Sequence, residues 1–171
     1  MKTKVNINNI DYILRTATPT DVASLRLLVN LAYKELSDMG LNYTATDQDE
    51  EKTLERISKC TAFVLEKNSK LIATILLGTE NHITERRTAY ISQFAVLPNL
   101  KKSGLGTFLM AFCEHKAMTD GYEGVQLDTA IPAKHLVNWY LKQGYRIVGE
   151  THWEGKTYTS YIFEKIFNEK H

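Results

Sequence analysis

Cysteine is scarce. Only Cys60 and Cys113 occur in 171 residues, far apart and in no CxxC or Cys/His spacing. That argues against a disulfide framework or a zinc site and predicts two free, buried thiols in a reducing compartment. Prolines number three against nine glycines, and no proline-rich linker, repeat or low-complexity tract divides the chain. No apolar run approaches the roughly 20 residues that a membrane-crossing helix needs. The polar segment from Met1 to Asp11 lacks the apolar core of a secretory signal. A charge excess is missing too: 21 basic residues stand against 20 acidic ones, a net +1. Nucleic-acid binding needs a local basic excess, and the only basic pair beside a motif is Lys101-Lys102. These absences predict a cytoplasmic chain with no nucleic acid and no membrane among its partners.

What is present reads as a single domain over 1–171, with 43% hydrophobic and 24% charged residues. Tyr12–Thr16 is a short first strand. Thr18-Pro19-Thr20-Asp21 is a helix start, with Thr18 as N-cap, Pro19 in the first helical position and Asp21 closing a capping box. Leu25, Leu28, Val29, Ala32 and Leu36 follow at helical spacing. A charged second helix is expected from about Asp47 to Ser58, with Leu54 and Ile57 inward. Thr61–Glu66 and Leu71–Leu77 form a hairpin around Asn68-Ser69, and Thr79–Thr88 is a polar loop. Ala89–Val96 is a strand stopped by Pro98, and Leu105–Ala117 is an amphipathic helix. Val125–Thr129 is a strand, Lys134–Lys142 a helix with Gly144 as its left-handed cap, and Arg146–Glu150 with Thr157–Phe163 a closing hairpin. The order β-α-α-β-β-β-α-β-α-β-β is an α/β (α+β) architecture: a mixed sheet of about seven strands with about four helices on its faces.

The most informative stretch is Val96-Leu97-Pro98-Asn99-Leu100-Lys101-Lys102-Ser103-Gly104-Leu105-Gly106-Thr107. A strand ends, proline turns the chain, and a loop with lysines and glycines enters a long helix. Such a helix start presents unpaired N–H groups and partial positive charge, and the glycines let a ligand approach the backbone, so the pattern suits a pyrophosphate. Two glycines also serve a tight turn alone. Leu109 replaces the third glycine of a dinucleotide fingerprint, and no GK[ST] follows for a P-loop.

This stretch resembles the acetyl-CoA signature V-x-P-x-x-[RQ]-x-x-G-x-[GA] of the Gcn5-related N-acetyltransferase (GNAT) superfamily. Val96, Pro98, Gly104 and Gly106 match it; Lys101 departs from the usual Arg or Gln, keeping the charge without the planar fork. Leu14-Arg15-Thr16-Ala17, Lys70-Leu71-Ile72-Ala73 and Trp139-Tyr140-Leu141-Lys142-Gln143-Gly144-Tyr145 resemble further segments of the family in the same order. The resemblance implies a mostly antiparallel sheet, splayed between its fourth and fifth strands, and acetyl-CoA as co-substrate. Pantetheine would pair with backbone at Phe94, Ala95 and Val96, and the pyrophosphate would sit on Lys101, Lys102, Ser103, Gly104, Leu105, Gly106 and Thr107.

Acetyl transfer to an amine needs a free amine, an oxyanion donor and a proton for the leaving thiolate. Tyr140 is the candidate general acid, since a phenol with pKa about 10 stays protonated at neutral pH. It also stands where the family often has such a tyrosine; ordinary aromatic packing is the plainer alternative. Asp128 faces the expected cleft and could hold the amine, or be a structural carboxylate. His135 reads as a surface residue. Tyr33 and Tyr43 lie in the region that walls the acceptor in the family, beside the acidic run Asp47–Glu51, which suits a cationic amine or a solvated helix face. No residue pattern calls for a metal or a covalent acyl-enzyme. The expected activity is direct acetyl transfer from acetyl-CoA to a primary amine of a small molecule or peptide. A non-catalytic acyl-CoA sensor of the same fold is the alternative. Homodimers are common among relatives of this type.

Overall fold

The computed structural model describes residues 1–79 and 85–168. Part of the polar loop expected over Thr79–Thr88 lies outside the described residues. The elements are β1 (Lys2–Ile7), β2 (Ile10–Thr16), α1 (Val22–Asp38), α2 (Glu50–Lys59), β3 (Thr61–Lys67), β4 (Lys70–Gly78) and β5 (Thr88–Val96). They continue with α3 (Leu105–Thr119), β6 (Gly124–Ala130), α4 (Lys134–Lys142), β7 (Arg146–Thr151) and β8 (Ser160–Ile166). All eight strands share one sheet in the order β1-β2-β3-β4-β5-β6-β8-β7, antiparallel except where β5 meets β6.

The eighth strand is the one that the polar N-terminus conceals. Lys2–Ile7 turns at Asn8 and Asn9, both with positive φ (51° and 64°), and pairs with β2 over six residue pairs. Asparagine tolerates that left-handed conformation better than most residues, which favours the two-residue hairpin turn.

Strand β3 shows why the middle of the chain reads as continuous apolar sequence. Phe63 and Leu65 pack on the face that carries α3 and α4, with Leu109, Cys113, Val137 and Tyr140. Val64 points the other way, against Leu25 and Leu28 of α1. Alternate side chains thus enter two cores, and a sheet covered on both faces needs apolar residues at every position. On α2 the expected inward face shifts: Leu54 is 44% exposed and Thr53 is the buried residue. Helix α2 starts later than expected, at Glu50, because the Asp49 side chain accepts the Lys52 N–H at 2.8 Å and caps it. Cys113 is buried as expected, but Cys60 is only half-buried.

At the entry to α1 the Asp21 carboxylate accepts from the Thr18 N–H at 2.8 Å and pairs with Arg15, which also pairs with Glu66. The Arg15 guanidinium above all holds the Asp21 carboxyl at about 2; burial opposes it, and the Thr18 N–H adds a further lowering. A depressed carboxyl pKa stabilises the fold above the unfolded value and loses that contribution as pH falls through the folded one. With Asp21 only 12% exposed, its share is about 1–2 kcal/mol. Asp21→Asn is expected to lower the urea midpoint at pH 7 and to flatten its decline between about pH 4 and pH 2; an unchanged acid limb would assign the decline to other groups.

Candidate active site

Strands β5 and β6 pair in parallel only from Thr88–Tyr90 against Gly124–Gln126, and then diverge. Between them opens a cleft of about 350 Å³, walled by Ile91–Val96 of β5, Leu127–Thr129 of β6, the first turn of α3, and residues of α1 and α4. A bulge shapes the β5 wall: Gln93 has φ 43°, and the β4–β5 register shifts between Thr74 and Leu76. The Leu97 N–H bonds the Ile72 carbonyl at 2.9 Å. Because antiparallel pairing alternates, Val96, one residue back, turns its N–H and C=O away from β4 and into the cleft. The Phe94 carbonyl likewise leaves the ladder and accepts the Tyr33 O–H at 3.3 Å.

One end of the cleft is the start of α3. Lys102 and Gly104 have φ of 62° and 85°, so the chain curls before the helix begins. The Asn8 side chain donates to the Ser103 carbonyl at 2.8 Å, tying the β1–β2 turn to this loop. The first intrahelical bond runs from the Phe108 N–H to the Gly104 carbonyl. The N–H groups of Leu105, Gly106 and Thr107 are therefore the open donors of a helix start. Lys101 reaches Glu35 of α1 at 2.6 Å, an exposed pair of little energetic weight that a phosphate can displace.

Of the residues expected to hold the cofactor, Phe94, Ala95, Val96, Lys101, Lys102, Gly104, Gly106 and Thr107 all line the cleft. Ser103 and Leu105 do not line it: the Ser103 hydroxyl bonds the Leu100 carbonyl, and the Leu105 side chain is buried in the core, 1% exposed. Only their backbone is available there. Tyr140 enters from α4, 7% exposed, its ring against Trp139, Tyr145 and Phe163. Its hydroxyl makes no hydrogen bond to any described residue, although it lines the cleft. Burial above all pushes the phenol well above its ordinary pKa, so it is protonated throughout the working range. His135 stands at the rim, exposed.

Tyr33, Tyr43 and Asp128 meet at the far side of the cleft, where a second cavity of about 440 Å³ begins. Tyr43 stacks on Tyr158 at 4.8 Å and receives the Ala130 N–H at 2.8 Å. Asp128 accepts from the Tyr90 hydroxyl and from the Trp153 indole at 3.0 Å. Both of these donors are neutral groups.

The walls of this cavity were not foreseen. Asp47, Asp49, Glu50 and Glu51 point to solvent, and α2 turns Lys52, Glu55, Arg56 and Lys59 inward, joined by Lys156 of the β7–β8 turn. The spacing 52, 56, 59 puts three basic residues on one helical face, a pattern that points to a cavity only once α2 is placed; Lys156 and Trp153 arrive from a turn that no motif marks. Among the described residues no His, Cys, Asp and Glu group could hold a metal ion.

With this geometry in view, the comparisons with known proteins agree on one family. The model of the Acetyltransferase (GNAT) family matches residues 28–145. The chain belongs to the GNAT family. An S-alkylcysteine N-acetyltransferase of Bacillus subtilis (strain 168) is 31% identical over 150 residues, 85% of this chain and 84% of that one. An S-(2-succino)cysteine N-acetyltransferase of the same organism is 29% identical over 140 residues, covering 80% and 85%. Among solved structures, a GNAT-family acetyltransferase from Listeria monocytogenes 4b F2365 superposes with a TM-score of 0.73 at 16% identity, covering 96% of this GNAT chain and 100% of the other. The ribosomal-protein-S18-alanine N-acetyltransferase of Escherichia coli gives 0.71 at 13%, covering 94% and 96%. These two structures speak for the fold alone. The family match and the curated relatives make this chain an acetyltransferase, and acetyl-CoA is the co-substrate general to GNAT acetyltransferases. No helix among the described residues is long and apolar enough to cross a membrane.

Proposed function

We propose that this chain, acting as one domain over residues 1–171, transfers the acetyl group of acetyl-CoA directly to the α-amine of an S-substituted cysteine or a similar small amino acid. One observation carries the reading. A cleft with an open helix N-terminus at one end and Tyr140 on its wall meets a second cavity at Tyr33, Tyr43 and Asp128. Thioester and amine can therefore approach the same point from opposite sides. The names of the two curated relatives supply the acceptor class.

The backbone from Lys102 to Thr107 binds the pyrophosphate, and Lys101, with Glu35 displaced, adds charge beside it. Val96 offers its N–H and C=O to the pantetheine amides, and a free N–H of β5 receives the carbonyl oxygen as charge grows on it. Asp128 holds the ammonium and, through water, accepts the proton that frees the nitrogen lone pair. The nitrogen bonds to the acetyl carbon and gives up its second proton to water, the carbon–sulfur bond breaks, and the Tyr140 hydroxyl donates its proton to the departing sulfur and regains one from solvent. Tyr33 and Tyr43 shape the passage between the two cavities.

The test is calorimetric titration with acetyl-CoA, with NAD and ATP as controls, followed by thiol release with S-methylcysteine. Binding of acetyl-CoA alone in the micromolar range, with thiol released only when amine is present, is expected. A protein that binds no acetyl-CoA would overturn the reading.

A further inference from the structure

The second cavity contains positive charge without a counter-ion. Arg56 lines it from α2, and its Nε–H is shut off from solvent with no acceptor. No described carboxylate pairs with this guanidinium. Lys156 lines the same cavity and donates to the Asn42 carbonyl at 2.8 Å and the Thr44 hydroxyl at 3.0 Å, both neutral. Burial lowers the Lys156 pKa; Asp47 opposes that shift, while the Arg56 charge reinforces it, so the two cations feel each other. Lys52 and Lys59 differ, because both are paired with Glu55, at 2.7 Å and 2.5 Å. The uncompensated charge belongs to Arg56 and Lys156.

Two like charges facing one cavity, one of them with an orphaned buried donor, are costly in an empty protein. A carboxylate entering the cavity sets a counter-charge beside both cations. The planar fork of an arginine matches a carboxylate's two oxygens, and a half-buried lysine supplies a second charge-assisted bond. At the inner end of the same cavity stands Asp128, whose neutral partners leave its charge to an ammonium.

We propose that Arg56 and Lys156 form a carboxylate site that selects the acceptor: amines bearing a carboxylate are admitted and bare amines are not. The inference rests on the acetyl-transfer reading for the amine end only; the anion site stands on its own charges. It assigns to α2 and the β7–β8 turn the choice of acceptor, which one of the two readings of the acidic run Asp47–Glu51 would have given to carboxylates.

The test compares S-methylcysteine and S-(2-succinyl)cysteine with their methyl esters, as ligands of the protein saturated with coenzyme A, by calorimetry. The free acids should bind roughly 10- to 100-fold more tightly than the esters, the range expected for charge-assisted hydrogen bonds. Arg56→Met and, separately, Lys156→Met should reduce that ratio, and Arg56→Lys should restore part of it. The comparison of acid with ester in the unaltered protein needs no variant to fold. Equal affinities, or no binding of any of the four compounds, would overturn the carboxylate site. Acid-selective binding without thiol release from acetyl-CoA would instead keep the site and remove the transfer reading.

Discussion

Tyr140→Phe is expected to lower the rate of acetyl transfer about 10²-fold or more, the usual contribution of a positioned proton donor. Acetyl-CoA affinity should be unchanged, because the phenyl ring keeps its packing against Trp139, Tyr145 and Phe163. Stability should also hold. The deleted hydroxyl has no partner among the described residues, so no buried group loses one. Thiol release at saturating substrates and a calorimetric titration separate the two effects. The pH dependence carries a sign: burial raises the phenol pKa, so its acid form persists through alkaline pH, and the unaltered enzyme should show no alkaline fall due to this group. A Tyr140→Phe enzyme as fast as the original would mean that the sulfur takes its proton from elsewhere.

Gly104→Val should abolish acetyl-CoA binding at micromolar concentrations. Gly104 has φ +85°, and a Cβ there would stand 2.7 Å from the Asn8 amide nitrogen. A β-branched residue in the left-handed region costs about 1–2 kcal/mol before any clash. Relief of the clash would push Asn8 off the Ser103 carbonyl and move the donors of Leu105–Thr107. Misplacement by about 1 Å commonly costs 100-fold in such sites. Gly40→Val is the control: its φ is +79° and nothing lies within 4 Å, so it should lose stability but retain the cofactor. If Gly104→Val binds acetyl-CoA as Gly40→Val does, the loop is not the pyrophosphate site.

The starts of α3 and α4 and the central strands were legible because local chemistry and long-range packing agree there. Pro98, Gly104 and Gly106 mark a turn and a close approach, and a Cβ at Gly106 would meet the Phe94 ring at 3.0 Å. The first strand was not legible. Lys2, Thr3 and Lys4 are exposed on an edge, and only Val5 and Ile7 turn toward the core, an alternation too short to mark a strand. Nor does residue spacing foretell a bulge at Gln93, whose side-chain amide donates to the Gln48 amide oxygen just ahead of α2. On the acceptor side the acidic run takes the plainer of its two readings, a solvated helix face. Asp47–Glu51 is conspicuous as a run, yet Asp49 serves as a cap and its neighbours face water. The three basic residues behind it are spread over two helical turns and show themselves only when α2 is placed against β5.

The short seam between β5 and β6 has a mechanical consequence. Among the described residues three ladder pairs, with the Glu123 N–H on the Arg87 carbonyl just before them, join the five strands β1–β5 to the trio β6, β8 and β7. Each part has its own ladder, so amide hydrogen exchange should resolve two cooperative units rather than one. A pantetheine arm lying along β5 and touching α4 would bridge the gap as a strand does. At a ligand concentration 100 times the dissociation constant that linkage is worth about 2.7 kcal/mol. Cofactor occupancy would then be written into the folding of the sheet itself, with the two units melting apart when empty and together when filled.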